Sequence, residues 1–319
     1  MDVTIPDELV DYARTAGAIV GDAAVARARY GPDASPEARM LLIERLESFG
    51  LFELSLHTDR DQLLIAGTVL RAIGRAATGL PLPAIVVGRA AGLPGMLHAV
   101  GRTTPHMLLD GRDLGMRAWT IDSEGIRAEA VGDERPSGTR TLARFAAPVT
   151  LGDGETDDPR WWALHEVLAG FMTLGVLEQA LDESRRHLNE REQFGRALKQ
   201  FQALAHRFAD MVVRVHGLAE LCLFSAWAYH ARPERATVDA LLLRLYALDA
   251  LSDVSRSAHQ IHAAIGFCHE HPLADLTASA WFSRTQPLTA DEVADLLASR
   301  AGEIDMLFSD ERVSPAGKS

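Results

Sequence analysis

Twelve histidines and two cysteines are the side chains of this 319-residue chain best suited to metal or nucleophilic chemistry. Their spacing argues against both. No two histidines stand at the His-x-x-x-His step that places a pair of imidazoles on one helix face. His259 with His262, and His269 with His271, are merely close in sequence, so no metal site is expected. Cys222 and Cys268 are too few for a disulfide framework, share no ligand spacing and sit among apolar neighbours, where they read as buried thiols. Neither a Gly-x-Gly-x-x-Gly turn nor a phosphate-binding P-loop occurs. The informative stretch is Glu190 to Met211. It reads as a helix end, a glycine turn at Gly195, which suits the positive φ of a helix C-terminus, and a second helix. That helix carries Leu198, Phe201, Leu204, Ala205, Phe208, Met211 and Val212 on one apolar stripe.

This stretch resembles the C-terminal domain of acyl-CoA dehydrogenases. Arg191, Phe194, Gly195, Phe201, Gln202, His206, Ala209, Asp210 and Met211 match its pattern in register, nine residues over 21 positions. The resemblance implies that Arg191 binds the pyrophosphate of FAD across a subunit interface with Phe194 packed beside it, a task that suits a planar guanidinium. A helix-end arginine favouring the dipole is the plainer reading. Gln260-Ile261-His262-Ala263-Ala264-Ile265-Gly266-Phe267 resembles the turn that approaches the adenosine and phosphate part of FAD. There the family carries a glycine pair, because a Cβ stands in the ligand's way; here Ala263 and Ala264 replace it. Gln260 and His262 also read as a helix-terminal polar pair contacting backbone.

The family's proton-removing carboxylate has two known slots. One falls here on Gln286-Pro287-Leu288, without a carboxylate; the other falls on His165, next to Glu166. A histidine can act as a base, which makes His165 the one candidate. Glu166 is turned about 100° away by one helical step. Both also read as surface or interface residues. The basic residue common after Glu270-His271-Pro272 is missing at Leu276 to Ala280, and no Thr-Glu…Gly-Ser-Asp flavin-contact segment is found. His206 reads as a core or interface histidine.

The elements that must position these residues are mainly helical. Residues 1–93 read as an N-terminal helical domain: Pro6 starts one helix, Ser35-Pro36-Glu37 a second that Gly50 ends, and Thr58 caps a third. Residues 94–157 read as a reduced β domain, with a hairpin from Met116 to Val131, a strand over Thr139–Phe145, and linkers at 132–138 and 152–159. Residues 158–308 read as a four-helix bundle with helices near 160–192, 197–230, 234–264 and 289–305, followed by a polar tail over 309–319.

Composition is that of a soluble globular protein, 47% hydrophobic and 24% charged. A net charge of −12 without a basic stripe excludes a nucleic-acid partner. No signal peptide and no membrane span are expected, which places the chain in the cytoplasm. The fold class is thus an acyl-CoA dehydrogenase-like, mainly α arrangement. Within that family, some actinobacterial enzymes of steroid catabolism are α2β2 heterotetramers in which one of two unlike chains has lost part of the site. The resemblance therefore implies a subunit that completes the FAD site of a catalytic partner through Arg191, Phe194, Gln260 and Ala264. Its substrate would be a bulky, steroid-derived acyl-CoA, and its electron acceptor an electron-transfer flavoprotein. A self-sufficient homo-oligomer using His165, and a non-catalytic scaffold, are the alternatives.

Overall fold

A computed structural model describes residues 7–23, 35–93, 158, 160–285 and 288–300, together with the strand backbones between 96 and 144. The tail at 309–319 lies outside them. Four helices open the chain: α1 (Asp7–Gly21), α2 (Pro36–Ser48), α3 (Arg60–Gly74) and α4 (Leu82–Ala90). Ser35 caps α2, its Oγ accepting from the Ala38 amide. The cap of α3 is Asp59 rather than Thr58: its carboxylate accepts from the amides of Asp61 and Gln62, which a threonine one residue earlier cannot reach.

Two three-stranded sheets follow. In one, β1 (Met96–Ala99) pairs in parallel with β3 (Ala118–Asp122), which pairs antiparallel with β4 (Gly125–Glu129). In the other, β6 (Arg140–Arg144) lies between β2 (His106–Asp110) and β5 (Arg135–Ser137), both antiparallel to it. The β3–β4 hairpin and β6 fall where alternation predicts them. β5 occupies what reads as a linker, because its partner β6 supplies the ladder that its own sequence does not announce.

The bundle is built on α5 (Arg160–Glu190), buried on nearly every face from Trp161 to Ala180. It runs against α6 (Gln202–Ala231) and α7 (Ala236–His262), with α8 (Pro272–Thr285) and α9 (Ala290–Ser299) closing the side. The sequence reading omits α8: Pro272 opens it, and Leu273, Leu276 and Ala280 bury one face at helical spacing. α9 is fixed by a capping box between Thr289 and Glu292. By length and composition α6 could cross a membrane, contrary to the sequence reading. Here Met211, Val215, Leu218 and Cys222 are buried in the bundle core.

What joins the N-terminal helices to the bundle is a backbone contact. A Cβ on Gly175 of α5 would meet the Arg71 carbonyl at 1.9 Å, and one on Gly74 of α3 would meet the Met172 carbonyl at 2.2 Å. Flanking this crossing, Arg71 holds Glu178 through bonds of 3.0 and 2.5 Å, and Arg75 pairs with Asp182. A second tie lies near the start of α5. His57 bonds the Tyr229 hydroxyl at 2.7 Å and Asp158 at 3.1 Å, its ring stacked on Trp161. Gly175→Ala is expected to cost about 3 kcal/mol or more, since backbone must move. Gly17→Ala, with nothing within 4 Å on α1, should leave stability equal or up to about 1 kcal/mol higher. Urea unfolding of both variants checks the contrast.

Candidate functional site

The predicted residues separate into two groups at opposite ends of α5. His165 and Arg191 are 26 positions apart, and at 1.5 Å per helical residue α5 alone sets Glu190 about 37 Å from His165. The two ends differ in character, one dry and paired, the other wet and unpaired.

At the distal end, Arg191 follows the last turn of α5, its amide bonded to the His187 carbonyl at 3.0 Å. The chain then makes a two-residue hairpin: β7 (Glu192–Gln193) pairs with β8 (Arg196–Ala197) across Phe194 and Gly195, at φ +54° and +78°. Two successive positive φ values define a type I′ turn. Gly195 is therefore a hairpin tip and not the C-terminal glycine of a helix. α6 begins only at Gln202, after a tight turn that buries Leu198. Phe194 is 91% exposed, touching the edge of Phe201, whose face carries the Arg196 guanidinium at 4.0 Å. Arg191 is exposed, and no ion pair engages it among the described residues. Gln202 and His206 are likewise exposed on α6, so His206 is no core histidine within this chain.

The second half of this end is the turn after α7. Gln260, Ala263 and Ala264 are exposed, while His262 is buried with its Nδ1 donating to the Ala258 carbonyl at 2.8 Å. Rings of His187 and His262 lie 4.5 Å apart, which brings the ends of α5 and α7 together. Ala263 has φ +54° and ψ −139°, a conformation that favours glycine. The turn thus keeps the backbone a glycine would take, with a methyl group on it. Cys268 is exposed beside this turn and is not the buried thiol its neighbours suggest, whereas burial pushes the Cys222 thiol well above its usual pKa.

At the proximal end, His165 and Glu166 are buried, not on the surface. Glu166 reaches back to its neighbour: Oε1 lies 2.9 Å from His165 Nδ1, and Oε2 lies 3.7 Å from Nε of the buried Arg244. Arg244 in turn donates to the Leu288 carbonyl at 3.0 Å. Burial lowers its pKa and the Glu166 carboxylate opposes that, compensating a charge withdrawn from water. A carboxylate beside a guanidinium can only accept, so the proton on neutral His165 sits on Nδ1 and Nε2 carries the lone pair. Arg244 therefore links Glu166, the neighbour of His165, to the Leu288 carbonyl. No sequence signal marks Arg244 beyond a charged residue within an apolar helix.

A separate cavity of about 910 Å³ lies among α1, α3, α5 and α8, lined in part by Thr68, Arg71, Glu178 and Asp275. On its wall Arg71 pairs with Glu178 and His269 with Asp275, and it holds none of the predicted site residues. Among the described residues no group of three His, Cys, Asp or Glu side chains is placed to hold a metal.

Comparison with known proteins adds to this geometry. Residues 166–285 match the family model for the acyl-CoA dehydrogenase C-terminal domain. The acyl-CoA dehydrogenase IpdE2 of Mycolicibacterium smegmatis is 28% identical over 230 residues, 66% of this chain and 70% of that protein. The solved ChsE4–ChsE5 complex from Mycobacterium tuberculosis superimposes with a TM-score of 0.71 at 19% identity, over 95% of this chain and 99% of that one. A variant of the Tcur3481–Tcur3483 steroid ACAD superimposes with a TM-score of 0.73 at 18% identity, over 94% and 99%. These likenesses establish the acyl-CoA dehydrogenase fold.

The strained alanine makes a prediction independent of any ligand. Relief at Ala263, about 1–3 kcal/mol, outweighs the about 0.5–1 kcal/mol entropic cost of glycine. Ala263→Gly should therefore raise the melting temperature, and Ala264→Gly should not; differential scanning calorimetry of the two variants compares them.

Proposed function

We propose, on the premise that residues 166–285 are an acyl-CoA dehydrogenase C-terminal domain, that this chain is a subunit of a flavin-dependent acyl-CoA dehydrogenase and completes an FAD site housed on a partner chain. The observation that carries the reading is the separation along α5. An arginine and a histidine about 37 Å apart cannot bracket one dinucleotide, so Arg191 serves a cofactor whose reacting ring belongs to another chain.

The distal end fits such a group in part. An exposed guanidinium with no ion pair among the described residues, beside an exposed aromatic ring and a turn in glycine geometry, suits a phosphate-bearing nucleotide arriving from outside. Flavin, when bound, accepts the hydride from the acyl β-carbon. Arg191 would hold pyrophosphate oxygens in a two-point grip, Phe194 would cover the apolar flank, and Gln260 with Ala264 would line the nucleotide. The chain's overall charge of −12 repels such an anion, which leaves retention to these local groups. A bulky, steroid-derived acyl-CoA as substrate, an α2β2 assembly, an electron-transfer flavoprotein as acceptor and a cytoplasmic location belong to the same proposal. The ChsE4–ChsE5 and steroid ACAD likenesses support the first two of these.

Co-purification with a partner dehydrogenase chain should give a yellow complex. Arg191→Ala should weaken flavin retention roughly tenfold or more, the value of a lost charge-assisted hydrogen bond pair, measured by flavin absorbance after gel filtration. A stable, colourless chain that never pairs would count against the proposal.

One observation favours a second reading, the His165–Glu166 pair. With Glu166 holding Nδ1–H, Nε2 of His165 is a ready proton acceptor, and a homo-oligomer could then run the reaction with Arg191 reaching a sister subunit. That reading expects the chain purified alone to be yellow and to oxidise acyl-CoA, with His165→Gln lowering turnover about 100-fold or more while flavin stays bound. A colourless single chain, or an unchanged His165→Gln, refutes it.

A further inference from the structure

Three imidazoles from three elements meet under the turn that follows α7. The rings of His187 (α5) and His262 (α7) are 4.5 Å apart, and those of His262 and His271, just before α8, are 4.6 Å apart. The turn rests directly on this group. A Cβ on Gly266 would be 3.0 Å from His262 Cβ and 3.3 Å from His259 Nδ1, and Phe267 stacks on the His259 ring at 4.4 Å.

We propose that His187, His262 and His271 form an acid-sensitive latch: the three rings pack and hold the ends of α5, α7 and α8 together, and protonation of His187 and His271 against the His262 ring separates them and frees the 263–267 turn. Its geometry is suited to this. His262 is 2% exposed, its Nδ1 proton is committed to Ala258, and its Nε2 is buried without a hydrogen-bond partner among the described residues.

Most of the surroundings work in the same direction. On α5, Arg191 opposes a positive charge on His187 and Arg186 one on His271, while Glu183, held by Arg186 and Gln179, favours a charge on His271 without outweighing burial. On α7, His259 is another imidazole, bonded to Thr277 through Nε2. On the loop and α8, His269 is paired with Asp275 at 3.1 Å, and Glu270 is exposed. Burial first, then the neighbouring imidazoles, depress His187 to about 4 and hold His259 and His271 below the ordinary histidine range. The opened form titrates near 6.5. Protons thus bind it first as pH falls, so the latch is intact above about 6.5 and is lost on the way down to about 4. The latch is a property of this end of the bundle; only its effect on cofactor retention rests on the flavin reading.

Hydrogen–deuterium exchange of the full chain at pH 7.5 and 5.0, corrected for the intrinsic chemical rate, tests the latch without any flavin. Amides of residues 263–271 should open roughly 30-fold more often at the lower pH through His187 alone, while residues 167–177 in the middle of α5 stay protected. His187→Gln and His271→Gln should each blunt that response, and His206→Gln, on the exposed face of α6, should preserve it. Equal protection of the turn at both pH values would overturn the proposal, as would a full acid response surviving in both latch variants. The wild-type comparison decides even where a variant fails to fold.

Discussion

The crossing of α3 and α5 at Gly74 and Gly175 is the constraint on which the remaining architecture depends. With carbonyl oxygens where side chains would stand, the two helices lock in rotation as well as in distance, which aims Arg71 and Arg75 at Glu178 and Asp182. That contact makes α5 the common axis of the N-terminal helices and the bundle. It also makes α5 a ruler. A rigid 31-residue helix delivers His165 to one end and Arg191 to the other, and no adjustment of loops can bring them together.

The two ends show how differently burial treats charge. Glu166 and Arg244 are withdrawn from water and each compensates the other, with His165 and the Leu288 carbonyl taking up the remaining directions. Removing one member of such a pair is far more damaging than never having had it. At the opposite end, Arg191 keeps its hydration and Phe194 gives up burial altogether. A single chain gains nothing from an exposed phenylalanine at positive φ, a conformation that costs about 1 kcal/mol or more for a residue of that kind. On the proposed function, this is the surface that the partner chain covers.

Much of this was readable from residues alone. The motif from Arg191 to Met211, the hairpin of β3 and β4, and the helical blocks follow from local periodicity and cap chemistry. Two of the departures depend on partners far away in sequence. α8 needs α5 and α7 to bury Leu273 and Leu276, and β5 needs β6. Glu166 lies outside what helical rotation predicts, because that rotation describes a Cα–Cβ vector, whereas a long carboxylate side chain can curl back to the neighbouring ring. One positive φ at Gly195 fits a helix end and a hairpin tip equally; the second one, at Phe194, separates them. Nothing in the sequence links His187 to His262, since that contact exists only once two parallel helices end level with each other.

The backbone at Ala263 has a consequence for how change at this surface is to be understood. The peptide path there is imposed by what lies beneath it, Gly266 seated on His262 and Phe267 on His259, rather than by the residue that occupies it. The alanine methyl is carried on a path that glycine would follow without strain, so glycine at this one position would keep the contour without any other part of the molecule having to move.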